Sequence, residues 1–84
     1  MYEVYLERAA ERDLNRLAKV DFERAIARIR SLGEDPKPPG SRKMVGSVSD
    51  WRVRVGNLRI IYGFGDQALY VRVMRVGQRG AVYR

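Results

Sequence analysis

At 84 residues the chain is long enough for one small domain that buries roughly 60 % of the surface its unfolded form exposes, which excludes a second domain. It has neither cysteine nor histidine, so a disulfide framework, a thiolate nucleophile and an imidazole base or metal ligand are all excluded. The net charge of +7 is unevenly placed: residues 1–41 hold eight basic and eight acidic residues, whereas residues 42–84 hold nine basic residues against two acids, Asp50 and Asp66.

A field confined to one half of a chain draws anionic ligands and gives sequence-independent affinity for phosphates. Fourteen of the seventeen basic residues are arginine, whose planar fork matches a phosphate edge better than an ammonium group does. The plainer alternative is a solvated basic surface in an arginine-rich proteome. With no sulfur or imidazole ligands and with carboxylates scattered along charged helices, no metal and no cofactor are expected. No apolar run approaches the ~20 residues of a membrane span, and the opening M-Y-E-V-Y-L-E lacks the basic-then-apolar order of a signal peptide. The expectation is a cytoplasmic protein with no membrane partner.

In chain order, Tyr2, Val4 and Leu6 alternate with Glu3, Tyr5 and Glu7 as in a half-buried first strand. A helix is predicted from Glu7 or Arg8, with Ala10, Leu14 and Leu17 on one face. Asp21 is the predicted N-cap of a second helix whose stripe is Phe22, Ala25, Ile26, Ile29 and Leu32, and Gly33 is its predicted left-handed stop. Pro36, Pro38 and Pro39, with Gly40 and Gly46, mark residues 33–50 as a loop. Strands are predicted at 51–55, 58–64 and 69–76, joined by turns at Gly56-Asn57 and Gly65-Asp66-Gln67, and a last short strand at 81–84.

Side chains alternate across a strand, so Trp51, Val53 and Val55 face one way while Arg52 and Arg54 face the other. Leu58, Ile60 and Tyr62 continue the apolar set, with Arg59 joining the two arginines. In the last long strand Leu69, Val71 and Val73 are predicted to face the helices, and Tyr70, Arg72 and Met74 the arginine side. Arg75 falls on the helix-facing phase, where a helix acid or a terminal carbonyl is as good a partner as a phosphate. Strand, two helices, then a run of strands gives an α+β two-layer fold, a mostly antiparallel sheet covered by a helical hairpin on one face and open on the other. The open face carries Arg52, Arg54 and Arg59.

The conjunction W-R-V-R-V-G (Trp51–Gly56), L-R-I-I-Y (Leu58–Tyr62) and V-G-Q-R (Val76–Arg79) with Tyr83 four residues on resembles the RelE/ParE family of toxin-antitoxin proteins, and more closely its RNA-cleaving RelE branch. The resemblance covers essentially the whole chain. Arg42-Lys43-Met44-Val45-Gly46 is similar to the K-K-L-x-G element that precedes the basic strands in that family. The resemblance implies a first strand beside the C-terminal one, an acidic antitoxin partner, and cleavage of mRNA in the ribosomal A site with ribosomal RNA close by. It also implies that Arg52, Arg54 and Arg59 hold the scissile phosphate and its neighbours, that Arg79 stabilises the transition state or assists the leaving group, and that Tyr83 transfers a proton. Arg42 and Lys43, in the loop, and Arg72 are further candidate contacts with RNA or ribosomal RNA, with solvated charge as the plainer role of each. Gln78 stands where many relatives have histidine, so any help from that group is absent.

RNA can be cut by its own 2′-hydroxyl, so such an enzyme needs in-line geometry, charge stabilisation and some proton transfer. Arginine serves the second need and not the third, since it stays protonated to pH ~12, while tyrosine has an ordinary pKa near ~10. Neighbouring guanidinium groups favour phenolate and would make Tyr83 a usable base. Each residue also has a bland role: Trp51, Tyr62 and Phe64 as core, Lys43 and Arg72 as solvated charge, and Tyr83 as packing near the C-terminus. The competing functions are a ParE-like inhibitor of DNA gyrase and a catalytically inert nucleic-acid- or antitoxin-binding module.

Overall fold

The computed structural model of the chain describes residues 1–46 and 49–78. Its elements run β1 (Glu3–Leu6), α1 (Arg8–Asn15), α2 (Lys19–Leu32), β2 (Arg42–Lys43), β3 (Trp51–Val55), β4 (Leu58–Gly65) and β5 (Tyr70–Gln78). The strands form one sheet in the spatial order β1-β5-β4-β3-β2. β1 lies parallel to β5, and the other three pairs are antiparallel. The helical hairpin follows β1 and packs on one face, so the α+β two-layer architecture holds. The short strand predicted at 81–84 lies outside the described residues.

The helical spacing of apolar residues becomes a buried seam. Ala10 and Leu14 of α1 meet Ala25, Ile29 and Leu32 of α2 over the inward residues of the strands, among them Val53, Ile60, Tyr62, Val71, Val73 and Val76. Leu17, Trp51 and Phe64 pack at the margin of this core. Phe22, expected on the stripe, is 38 % exposed, because it lies in the first turn of α2, at the rim of the packed layer. Tyr62 is fully buried, and its hydroxyl donates to the Pro36 carbonyl at 2.7 Å. A buried phenol needs such a partner, and this one ties the proline-rich loop to the centre of the sheet.

Two helix-end expectations are corrected. The N-cap of α2 is Ala18, with no side-chain cap hydrogen bond, and Asp21 lies inside the first turn, where its charge favours the N-terminal dipole without capping it. Gly33 has φ −66° and ψ −25°, a right-handed conformation, so it is no left-handed stop. Its small size has another cause. A Cβ there would stand 3.1 Å from Val4 Cγ2 and 3.2 Å from the carbonyls of Arg30 and Tyr2, and the Tyr2 N–H donates to the Gly33 carbonyl at 2.7 Å. Glycine lets β1 pass against the end of α2.

Within the segment predicted as loop, Arg42 and Lys43 pair with Arg52 and Trp51, and the Met44 N–H donates to the Asp50 carbonyl at 2.8 Å. Two residues are too few to show alternation, so β2 has no signature in the sequence. Leu69 is likewise corrected: with φ +51° and 44 % exposure it belongs to the turn before β5 and does not face the helices.

Candidate nucleic-acid interface

The arginines gather because opposite residues in an antiparallel ladder share a face. Arg42 stands opposite Arg52, and Arg54 opposite Arg59. Val53 between Arg52 and Arg54 is buried on the other side, as are Leu58 and Ile60 flanking Arg59. Four guanidinium-bearing positions from β2, β3 and β4 therefore lie on the open face. Gly40, Arg42, Arg52, Val53 and Arg54 line a cavity of about 290 Å³ at this edge of the sheet.

The four differ in setting. Arg54 and Arg42 are exposed and Arg52 is half-buried, whereas Arg59 is only 8 % exposed. Arg59, although on the same face, is buried because it lies on β4, the central strand of the sheet. Arg42, expected with Lys43 in a loop, joins the arginine row instead through a two-residue strand opposite Arg52, a placement the sequence pattern does not show. Lys43 pairs with Trp51 and so takes the opposite phase from Arg52; around the edge, Lys43, Met44, Val45 and Arg52 line a second cavity of about 270 Å³.

Arg72 is on the open face, paired with Tyr5 and Gly63, but toward the β1 side. Its guanidinium lies 5.5 Å from the centre of the Tyr70 ring, and its Nε is 3.7 Å from Glu7 Oε2. An exposed pair at that distance contributes little. Tyr70 and Met74 accompany it on this side, as the alternation predicts. Arg79 and Tyr83, the two residues assigned to the chemical step by resemblance, lie outside the described residues.

The C-terminal half of β5 departs from simple alternation. Tyr62 pairs with Val73 and Ile61 with Arg75, so Met74 is an extra residue, a β-bulge. Beyond it Val76 takes the inward position opposite Ile60, and Gly77 stands opposite Arg59. Arg75 is therefore moved off the helix-facing phase. It still finds a helix acid, Asp13 of α1: Arg75 Nε donates to Oδ2 at 2.8 Å and Nη2 to Oδ1 at 3.2 Å. The Val76 N–H also donates to Oδ2, at 2.9 Å. Burial pushes the Asp13 carboxyl up, but the hydrogen bonds from Arg75 and Val76 and the neighbouring positive charges outweigh it and hold the pKa below its ordinary value. The hydrogen bond to Asp13 raises that of Arg75 in turn.

Asp66, one of the two acids in the basic half, accepts from the Tyr2 hydroxyl at 2.8 Å. Among the described residues no cluster of acids could hold a metal ion, and no helix is long and apolar enough to cross a membrane. The arrangement suits a linear polyanion laid across the sheet, with phosphates over the paired arginines.

A family model described as the ParE toxin of type II toxin-antitoxin system, parDE, matches residues 4–83. Among solved structures, the chain is similar to a toxin-antitoxin complex, RelBE2, from Mycobacterium tuberculosis, with a TM-score of 0.83 and 22 % identity over 93 % of this chain and 98 % of that one. It is similar to the archaeal RelE-RelB complex from Pyrococcus horikoshii, with a TM-score of 0.82 and 22 % identity over 96 % and 98 % of the two chains. The E. coli RelBE toxin-antitoxin complex matches with a TM-score of 0.80 and 19 % identity over 93 % and 96 %. A search of curated protein sequences finds no match.

Proposed function

The chain belongs to the ParE toxin family, within the RelE/ParE superfamily of type II toxin-antitoxin systems, and within that superfamily we propose that it acts as a ribosome-dependent mRNA endoribonuclease. The observation that carries this reading is the pair of cross-strand arginine couples, Arg42 with Arg52 and Arg54 with Arg59, on the face the helices leave uncovered. Guanidinium forks set side by side on one face match the spacing and charge of successive phosphates along an RNA strand.

In this reading the RNA 2′-hydroxyl attacks the adjacent phosphate and the 5′-oxygen of the next nucleotide leaves. Arg52, Arg54 and Arg59 hold the phosphate and its neighbours, with Arg42 extending the row, and they offset the charge that develops on the phosphorane oxygens. Tyr83 accepts the 2′-hydroxyl proton, and Arg79 stabilises the transition state or the leaving oxygen; both roles rest on the family resemblance. Neither metal nor cofactor is required. Acid-base groups this weak leave much of the rate to orientation, which the ribosome supplies by holding the message in its A site. The partner is an acidic antitoxin segment that folds over the arginines, with affinity that falls as salt rises.

A second reading, inhibition of DNA gyrase, is favoured by the family model's own description as a ParE toxin. One experiment separates the two. Purified protein is added to programmed ribosomes and, separately, to a gyrase supercoiling reaction. The endoribonuclease reading expects new 5′ ends in ribosome-bound mRNA and unimpaired supercoiling; intact mRNA with blocked supercoiling replaces it by the gyrase reading.

A further inference from the structure

β1 covers the outer edge of β5 only as far as the pair Leu6–Val73, after which the Glu7 N–H donates to the Val73 carbonyl at 2.9 Å and the chain turns into α1. Past that point it is Asp13 that receives the edge. Its carboxylate takes the Val76 N–H and both guanidinium hydrogen bonds of Arg75, and its side chain is 10 % exposed. These bonds hold the two residues just after the bulge at Met74. Without the bulge, regular pairing from Tyr62–Val73 would set Arg75 opposite Ile60, which is fully buried, and Val76 opposite Arg59. The bulge instead puts Gly77 beside Arg59. Gly77 thus brings no side chain against Arg59 from β5, where the unbulged register would bring that of Val76, while Arg54 flanks Arg59 on the β3 side.

We propose that Asp13 is a positioning residue for Arg59: by holding Arg75 and the Val76 N–H together it fixes the bulge, and the bulge keeps Gly77 rather than a side-chain-bearing residue beside Arg59. Asp13 touches no substrate. It acts through Arg75, Val76 and the β4–β5 register, so its loss frays the last turns of the ladder and lets β5 shift against Arg59. As far as turnover is concerned, the inference rests on the proposed ribonuclease activity.

The test compares wild type with Asp13→Ala and Asp13→Asn by amide exchange, cross-strand nuclear Overhauser effects and single-turnover cleavage of ribosome-bound mRNA. In Asp13→Ala the Overhauser effects between residues 59 and 77 weaken and the Val76 amide exchanges on the order of 10-fold faster. Cleavage falls about 10-fold at saturating ribosomes with KM within twofold, as expected from misplacing a group that touches the reacting phosphate. Asp13→Asn, which keeps an oxygen for Val76 but loses the charge that holds Arg75, shifts both readouts the same way by a smaller amount, about 3-fold, and decides the question if Asp13→Ala does not fold. Unchanged 59–77 Overhauser effects and unchanged Val76 exchange in the variants overturn the inference, as does a lower melting temperature with full cleavage. The register readout needs no turnover, so a wild type that leaves mRNA intact refutes the ribonuclease reading while the 59–77 pairing still decides this one.

Discussion

Arg54 and Arg59 stand directly opposite each other on β3 and β4, one exposed and the other 8 % exposed, so the same cross-strand couple offers a solvated cation and a buried one. The difference separates binding from stability. Replacing Arg52 or Arg54 by Gln should weaken single-stranded RNA binding and lower the slope of log affinity against log salt by about 0.7 for each phosphate no longer neutralised. Melting temperature should change little for Arg54→Gln. Arg59→Gln should lose affinity and also about 1–3 kcal/mol of stability, because its partners are left in a poorly solvated place. Salt titrations and thermal melts of the three variants check this; unchanged salt slopes would make the arginines structural.

Gly33 gives a prediction whose sign runs against habit. At a right-handed backbone conformation Gly→Ala ordinarily stabilises by ~0.4–1 kcal/mol through the unfolded chain. Here the new methyl meets two backbone carbonyls at 3.2 Å and Val4 Cγ2 at 3.1 Å, and carbonyls held by β1 and α2 have little room to give. Gly33→Ala should therefore destabilise, by about 1 kcal/mol or more, as in other overpacked positions. Chemical denaturation measures it, and a more stable variant would show that β1 can move.

Asp13 sets an acid limit on stability. Its folded-state pKa is held below the ordinary 3.8, because hydrogen bonds from Arg75 and Val76 overcome the opposing effect of burial. A depressed carboxyl contributes stability that is fully present above the unfolded value and is lost as pH falls through the folded one. The wild type should thus lose this contribution below pH ~3.8 as Asp13 protonates. Asp13→Asn should be less stable than wild type at neutral pH by about 1–3 kcal/mol, and the gap should close toward strongly acid pH. Parallel denaturation curves that keep a constant gap from pH 7 downward would remove Asp13 from this role.

For the chemical step, Tyr83→Phe and Arg79→Ala should each lower single-turnover cleavage of ribosome-bound mRNA by at least ~100-fold, the low end for removing an acid-base group or an oxyanion donor. Ribosome binding should survive both. Wild-type cleavage should rise toward alkaline pH, because a tyrosine base is mostly protonated at neutrality. Full cleavage by Tyr83→Phe is the result that removes the tyrosine from the mechanism.

The acidic antitoxin is tested by calorimetry with the co-encoded protein. Binding should be tight at low ionic strength and weaken with salt, since the excess positive charge lies in residues 42–84. An absence of association at low salt would set the partner aside.

Local periodicity alone determined much of this protein. Alternation along Trp51–Val55 and Leu58–Tyr62 assigned Arg52, Arg54 and Arg59 to one face, and the spacing of Ala10, Leu14, Ala25 and Ile29 assigned the helices to the other, because both patterns are read within one element. Tertiary structure decided whatever depends on two segments meeting. Arg42 joined the row only through pairing with Arg52, and Gly33 owes its place to the passage of β1. Arg75 left its expected phase because of one extra residue at Met74, and its partner Asp13 is 62 positions away in the chain. A period-2 reading carries no information about a bulge or a distant carboxylate, since each is fixed by packing and hydrogen bonding between elements rather than by the order of residues within one.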